Sequence, residues 1–269
     1  MKKVILSISA LFLLATSANA VNVIIDEVSV EQKSGWGRLF ADVNGDNKSD
    51  IVFRVGNQIM VSLSADNSFL PATRWTLWSA KDDFKLADVN GDGSADLIGR
   101  TGSYIYVSLS TGNNFIPLVN WTPWDSHASY NLADVNGDGM ADLIGRLPNS
   151  ENVHVALSID NNADGFGDEF KKPSQVWTTW NVNDDYKLAD VNGDGNADLV
   201  GRYLENNEIY VKLAQPNEES KFGDKQKWTV WDISAEYKLA DINGDGAADL
   251  VGRLVNNNEI NEMHSNSKF

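Results

Sequence analysis

The segment "LADVNGDGSADLIGR", Leu86 to Arg100, recurs as "LADVNGDGMADLIGR", "LADVNGDGNADLVGR" and "LADINGDGAADLVGR", with a looser copy, "FADVNGDNKSDIVFR", starting at Phe40. The first Asp of each copy stands at Asp42, Asp88, Asp134, Asp190 and Asp241, at spacings of 46, 46, 56 and 51 residues. A unit repeated in register at this period cannot bury its apolar residues alone, and it stacks on its neighbours. The repeat therefore limits the fold to arrays such as propellers and helical solenoids.

The text between the copies decides between these. Each acidic stretch leads into a short apolar piece of the "ADLIGR" type. An alternating run follows, "QIMVSLS", "YIYVSLS", "NVHVALS" or "EIYVKLA", and then a Trp pair, "WTLW", "WTPW", "WTTW" or "WTVW". Alternation rich in Val, Ile and Tyr predicts strands, and no stretch after the leader holds a helical period. Each unit reads as four short strands with the acidic loop as the hairpin between strands one and two. Four-stranded units at this period predict an all-β chain, a β-propeller of about five blades.

Each loop places oxygen-bearing side chains at positions 1, 3, 5 and 9 and Gly at position 6, where a left-handed turn costs a glycine nothing. Position 7 varies freely, which suits a residue that offers its carbonyl. The candidate ligands are Asp42, Asn44, Asp46, Lys48 and Asp50; Asp88, Asn90, Asp92, Ser94 and Asp96; Asp134, Asn136, Asp138, Met140 and Asp142; Asp190, Asn192, Asp194, Asn196 and Asp198; and Asp241, Asn243, Asp245, Ala247 and Asp249. An all-oxygen set without His or Cys selects Ca²⁺ over Zn²⁺ or copper, and Mg²⁺ wants a stricter octahedron. Asn-Gly and Asp-Gly are also ordinary hairpin turns. A turn, however, does not need three acids, whose mutual repulsion favours a cation among them. Position 12 is Gly99, Gly145, Gly201, Gly252 or Phe53, never the Glu of an EF-hand.

"DVNGDGSADL" resembles the calcium loop of FG-GAP/VCBS-type repeats, and the resemblance runs in register over about residues 36 to 260. It implies an integrin-like propeller with one Ca²⁺ per blade, bound through positions 1, 3, 5 and 9. It also implies a role in adhesion or carbohydrate binding. Two features depart from the family pattern. Asn47 replaces Gly at position 6 of the first loop, an exchange that the tolerance of Asn for the left-handed region allows. The Phe-Gly…Gly-Ala-Pro element is reduced to a partial echo in "KFGDKQKW" near Phe222.

The long third interval contains the same spacing once more: Asp160, Asn162, Asp164, Gly165 and Asp168, in the connection between strands three and four. It reads equally as a sixth Ca²⁺ site and as a plain acidic loop. Eight of the nine Trp form the Trp-Thr-x-Trp pairs. Residues three apart on a regular strand face opposite sides, so one Trp of each pair could pack between blades while the other faces a groove and stacks on sugar rings. Burial between blades is the expectation for any one Trp, with the lectin-like surface as the alternative. Arg54, Arg100, Arg146, Arg202 and Arg253 are expected to pair with a carboxylate or cover a Trp face. His127, His154 and His264 have no metal or acidic spacing, and no hydrolase, zinc-protease or phosphate-loop motif occurs, so no catalytic residue is assigned.

The chain begins with a basic start at Lys2 and Lys3, an apolar run from Val4 to Ala15 and Ala18-Asn19-Ala20, the pattern of a secretory leader cleaved after Ala20. Residues 21–269 are expected to form the propeller, secreted or periplasmic. With 22 Lys and Arg, two of them in the leader, against 38 Asp and Glu, nucleic acid and anionic membranes are poor partners. There is no Cys, so an exported fold of this kind needs another clasp. The fifth unit ends its match at Ile260. Either residues 22–31 complete that blade, or the chain is a piece of a larger propeller. The function expected is non-catalytic binding of a glycan or cell-surface protein. The alternative is an accessory module or truncated fragment of a larger secreted hydrolase or toxin.

Overall fold

A computed structural model describes residues 37–263 except 67, 79–83, 164, 173, 182–183, 185, 204, 218–220, 232–235 and 254–259. The leader, the strand expected at 22–31, Asp164 and His264 lie outside the described residues. Among these residues every regular element is a β-strand, and no helix is long and apolar enough to cross a membrane.

Four antiparallel sheets of four strands follow one another. The first holds β1 (Arg38–Ala41), β2 (Asp50–Val55), β3 (Gln58–Ser62) and β6 (Thr73–Leu77), in that spatial order, with the small ribbon β4 (Ser64–Ala65) and β5 (Ser68–Phe69) in the connection before β6. The second holds β7 (Phe84–Ala87), β8 (Asp96–Thr101), β9 (Tyr104–Ser108) and β10 (Val119–Pro123). The third holds β11 (Asn131–Ala133), β12 (Asp142–Arg146), β13 (Asn152–Ala156) and β16 (Gln175–Thr179), with the ribbon β14 (Ser158–Ile159) and β15 (Glu169–Phe170). The fourth holds β17 (Tyr186–Ala189), β18 (Asp198–Tyr203), β19 (Glu208–Lys212) and β20 (Gln226–Val230). A fifth shows three strands, β21 (Glu236–Ala240), β22 (Asp249–Arg253) and β23 (Ile260–Met263). The four-strand unit and the acidic hairpin between its first two strands are thus as the sequence predicts.

The apolar residues form four layers, one between each pair of consecutive sheets. Between the first and second sheets, Val43, Val52, Ile59, Val61, Trp75 and Trp78 meet Phe84, Ala95, Leu97 and Phe115. The next three layers repeat this composition. The first four sheets therefore have a trailing face that carries the Trp pair, and the second to fifth have a leading face that receives the pair of the sheet before.

All eight paired Trp are buried, none more than 7% exposed, which agrees with the expectation of packing between sheets and leaves none of the eight facing outward to stack on a sugar. The reason is a β-bulge. In the first sheet Ile59 pairs with Thr76 and Met60 with Arg74, which leaves Trp75 without a partner. Register shifts at Trp121, Trp177 and Trp228 match it. One extra residue in the strand cancels the odd spacing of three and turns both Trp to the same side. Trp75 packs edge-on against Phe115, at 5.2 Å between ring centroids, and Trp78 against Phe84, at 6.1 Å; both partners belong to the next sheet.

Repeated Arg side chains join neighbouring sheets. Arg100 and Arg146 lie 5.8 and 5.6 Å from the ring centres of Tyr130 and Tyr186, on the first strand of the next sheet or just before it. Arg146 also donates to the carbonyls of Trp180, Asn181 and Asp184. Their aromatic partners are Tyr, and their acceptors are carbonyls of the connection between sheets.

Gly at position 12 makes room for the second Trp. A Cβ at Gly145 would lie 2.7 Å from Trp124 Cζ2 and 2.0 Å from the Ser129 carbonyl oxygen. We expect Gly145→Ala to cost about 1–3 kcal/mol by overpacking, a drop of roughly 3–10 °C in melting temperature for a domain of this size. A thermal melt that matches wild type would contradict this account of the layer.

Candidate functional site

Each acidic loop is held by its own side chains. In the second loop, Asp88 Oδ1 accepts from the Gly91 N–H at 2.7 Å and Oδ2 from the Gly93 N–H at 2.8 Å. Asn90 Oδ1 accepts from the Asp92 N–H, and Asp92 Oδ1 from the Ser94 N–H. The other four loops repeat the pattern, including Asp241 with Gly244 and Gly246. The turn needs positive φ at positions 4 and 6, which Gly91 and Gly93 supply at 80° and 86°. Asn47 takes the same place in the first loop at φ 62°, as its side chain permits.

The last Asp of each loop has a different setting. Asp50, Asp96, Asp142, Asp198 and Asp249 are fully buried. Asp142 Oδ2 accepts from Val135 N–H at 3.0 Å, and Oδ1 from Ser158 N–H at 2.8 Å. Asp50, Asp96 and Asp198 make the same two bonds, to the second loop residue and to the connection after strand three. This carboxylate ties the loop to the far side of its own sheet. Burial raises the pKa of Asp50, Asp96, Asp142 and Asp198 despite the backbone donors: Asp96 and Asp142 lie well above the usual carboxylate range, and Asp198 is pushed up to about 8. The neighbouring charges at positions 1 and 5 push the same way.

Among the described residues no three His, Cys, Asp or Glu side chains gather into a group that could hold a metal. Each loop brings Asn at position 3, and its last Asp spends one bond per oxygen on the backbone. The donor chemistry nevertheless fits Ca²⁺. Every candidate atom is a hard oxygen, each carboxylate oxygen that accepts one N–H keeps further acceptor capacity, and the carboxylates at positions 1, 5 and 9 disfavour one another's charge, a repulsion that a cation would relieve.

The loops form a row. Ala95, Ala141, Ala197 and Ala248 N–H each donate to the carbonyl of the first Asp in the preceding loop, at 2.6–2.8 Å. The variable seventh side chain faces the fourth residue of that same preceding loop: a Cβ at Gly91 would lie 3.1 Å from Met140 Cγ, and one at Gly137 2.9 Å from Asn196 Oδ1. The sequence gives position 7 only a carbonyl role, and this contact across loops was not visible in it.

The long loop at Asp160 copies the acidic turn. Asp160 accepts from Ala163 and Gly165 N–H, both at 2.7 Å, and those residues have φ 60° and 95°. Asp168 Oδ1 accepts from Asn161 N–H, the bond that the last Asp of the other loops makes to position 2. Gly167 N–H donates to the Asn90 carbonyl, which docks this loop on the second acidic loop.

Beside the row, between the third and fourth sheets, lies a cleft of about 400 Å³. Five of its eight lining residues are amides or acids: Asn136, Asp194, Asn196, Gln215 and Asn217. Asn196 Oδ1 is buried and has no hydrogen-bond partner. The spacing of the acidic loops found Asn136, Asp194 and Asn196; Gln215 and Asn217 belong to an irregular connection and gave no signal. His127 is exposed beside Asp125, and His154 lies within β13.

The Asp142 carboxylate can be tested directly. Asp142→Asn places an amide N–H₂ against a backbone N–H in a fully buried setting. We expect a loss of about 2–4 kcal/mol, or roughly 5–15 °C. An unchanged melt would show that the bond pair is dispensable.

Residues 88–145 match the FG-GAP-like repeat family. None of the curated proteins matches the chain. Among solved structures, an Agrocybe aegerita lectin described for specific recognition of non-reducing terminal N-acetylglucosamine shares 25% identity at a TM-score of 0.62, over 82% of this chain and 61% of the lectin. The Photorhabdus luminescens Tc holotoxin pore shares 19% identity at a TM-score of 0.60, over 87% of this chain and 11% of that one. The chain therefore spans about three-fifths of the lectin and a small part of the toxin. The family match covers the second and third of the in-register loops, which supports an FG-GAP-type repeat there.

Proposed function

We propose that the chain is an exported, calcium-stabilised β-propeller that binds glycans and does no chemistry. The observation that carries the glycan reading is the polar cleft between the third and fourth sheets. Amide and carboxylate groups suit a ligand dense in hydroxyls, and the buried Asn196 Oδ1 is an acceptor awaiting a donor. The likeness to a lectin for terminal N-acetylglucosamine supports the same reading. With the paired Trp buried, recognition rests on hydrogen bonds at the intersheet connections rather than on exposed indole. The leader directs the protein to the periplasm or the medium.

A second reading is supported by the likeness to the Tc holotoxin pore, of which a chain of this length is a small part. In that reading the sheets are an accessory module of a larger secreted toxin or hydrolase.

The five acidic loops, with the Asp160 loop as a sixth, would hold Ca²⁺ through side chains at positions 1, 3, 5 and 9 and the carbonyl at 7. A bound ion would neutralise the repulsion around the buried Asp and stabilise the folded state by linkage. We expect chelation to lower the melting temperature sharply. In chelator the raised pKa of Asp198 means that the folded state holds a proton which the unfolded chain has lost. Stability then falls as the pH rises from about 4 to about 8, and calcium removes that slope. A melt indifferent to EGTA at pH 8 would refute the metal sites.

A glycan array in calcium tests the binding reading. Retention of glycans ending in N-acetylglucosamine or a related sugar is expected, with at least a tenfold loss for Asn196→Ala or Gln215→Ala. Binding to no glycan would favour the module reading.

A further inference from the structure

The repeat supplies its own reference for what the frame requires. Where one sheet departs from the other three in polar chemistry, the frame does not account for the difference. The fourth sheet departs on its leading face, at the seam with the third. Lys212 ends β19 where the other four-stranded sheets have Ser62, Ser108 and Ala156. Lys225, two residues before the Lys227 that pairs with Tyr210, stands where they have Ala72, Leu118 and Ser174. In those sheets neither position carries a charge. Ser62 and Ser108 turn their hydroxyls onto carbonyls of their own connections. Lys212 Nζ instead donates across the seam, to Thr178 Oγ1 at 2.8 Å and to the Thr179 carbonyl at 3.2 Å.

Tyr203, Glu208, Tyr210 and Lys227 share that face, because paired residues and residues two apart on a strand point the same way. Lys225, just ahead of β20, reaches the same place: its Nζ lies 3.9 Å from the ring centre of Tyr203 and 4.4 Å from that of Tyr210. The two rings meet edge-on at 4.8 Å. Glu208 fixes the group, accepting from the Tyr210 hydroxyl and from Lys227 Nζ. Lys227 is thereby neutralised, and Lys212 and Lys225 are not. A hydroxyl, a carbonyl and two ring faces hold an ammonium group without cancelling its charge. Among the described residues no carboxylate lies within ion-pair distance of either. The two charges feel each other: burial first, and then the charge of Lys225, lower the pKa of Lys212, with Asp224 opposing. An anion between them would relieve both the repulsion and the missing pairing.

We propose that Lys212 and Lys225 receive the anionic group of an acidic sugar, a carboxylate or a sulfate ester, at the seam between the third and fourth sheets. Lys212 keeps one N–H for its oxygens, and Lys225 keeps three. The site suits a single such group rather than a long polyanion, because the chain as a whole carries 38 Asp and Glu against 22 Lys and Arg. The proposal rests on the glycan reading and narrows it. Lys212 stands two residues before Ala214, which lines the polar cleft, a step of about 7 Å along the chain. One oligosaccharide can therefore set a neutral residue in the cleft and an acidic one at the ammonium pair.

An array in calcium of paired oligosaccharides tests this: uronate-containing members beside their carboxyl-reduced forms, and sulfated members beside their desulfated forms. At least one acidic member is expected to bind about tenfold more tightly than its neutral partner, and the pair that responds tells carboxylate from sulfate. Lys212→Gln and Lys225→Gln are each expected to abolish that preference and to leave the neutral partner bound as before. Lys171→Gln, which removes an exposed charge from the third sheet's connection, is expected to keep it. Neutral members retained with no preference for acidic ones, or a preference that Lys171→Gln also abolishes, would overturn the proposal and leave the glycan reading intact. Retention of no member would overturn both. Since a Lys variant can fail to fold, the wild-type chain is also methylated at its lysines with carbon-13 formaldehyde, which keeps their charge, and titrated with glucuronate, glucose 6-sulfate and glucose. The resonances of Lys212 and Lys225 are expected to move with an acidic sugar and not with glucose, while that of Lys171 stays fixed. No movement, or equal movement of all three, would overturn the proposal.

Discussion

Each sheet hangs on one buried carboxylate. The last Asp of every acidic loop is fully buried, and in four of the sheets it is seen to accept one N–H from its own loop and one from the connection fourteen to sixteen residues on. Two ends of a sheet that are far apart in sequence are thereby fixed to one group. The second bond also places the connection from which Phe115, Phe170 and Phe222 reach the Trp of the preceding sheet. Loop shape, connection and intersheet layer are therefore one mechanical unit, and a buried charge of this kind is costly to remove because its donors would be left unpaired. A chain without disulfides obtains its long-range fastening this way.

The repeat made most of the architecture legible. Five loops, four strands per unit and the copy hidden at Asp160 all follow from spacing and alternation, because hairpin turns and strand periodicity are local properties. The orientation of the Trp was not legible. The period-two rule assigns Trp75 and Trp78 to opposite faces, and a single bulge at Trp75 reverses that assignment. A bulge is a property of the pairing between two strands, so a strand read alone does not show it. The eight paired Trp are buried and offer no indole to a sugar, which moves the candidate binding surface to the connections.

The connection Phe were missed for another reason. They lie five, twelve and eight residues after their anchoring positions at Ser110, Ser158 and Ala214, so alignment by fixed period scatters them. Only the pairings Ser110 with Phe115, Ser158 with Phe170 and Ala214 with Phe222 reveal that they are equivalent. Most of the insertion, including the Asp160 loop, is accommodated between such an anchor and its Phe, which is why the seven extra residues there leave the third sheet regular.

This arrangement separates what can vary from what cannot. Positions 1 to 6 and 9 of each loop are fixed by their own hydrogen bonds, position 12 by the approaching Trp, and the connection Phe by the layer it fills. Position 7 is free in type because its neighbour across the loop row is a glycine, which leaves room for Ser94, Met140, Asn196 or Ala247. The side chain at position 7 and the residues between anchor and Phe also border the cleft beside the third and fourth loops, at Asn196 and at Gln215 to Asn217. Change at those places alters the chemistry of an intersheet cleft without disturbing a strand, a bulge or a buried carboxylate. The cleft can thus change its set of polar groups on an unchanged frame, and those positions are where selectivity for a ligand would be encoded.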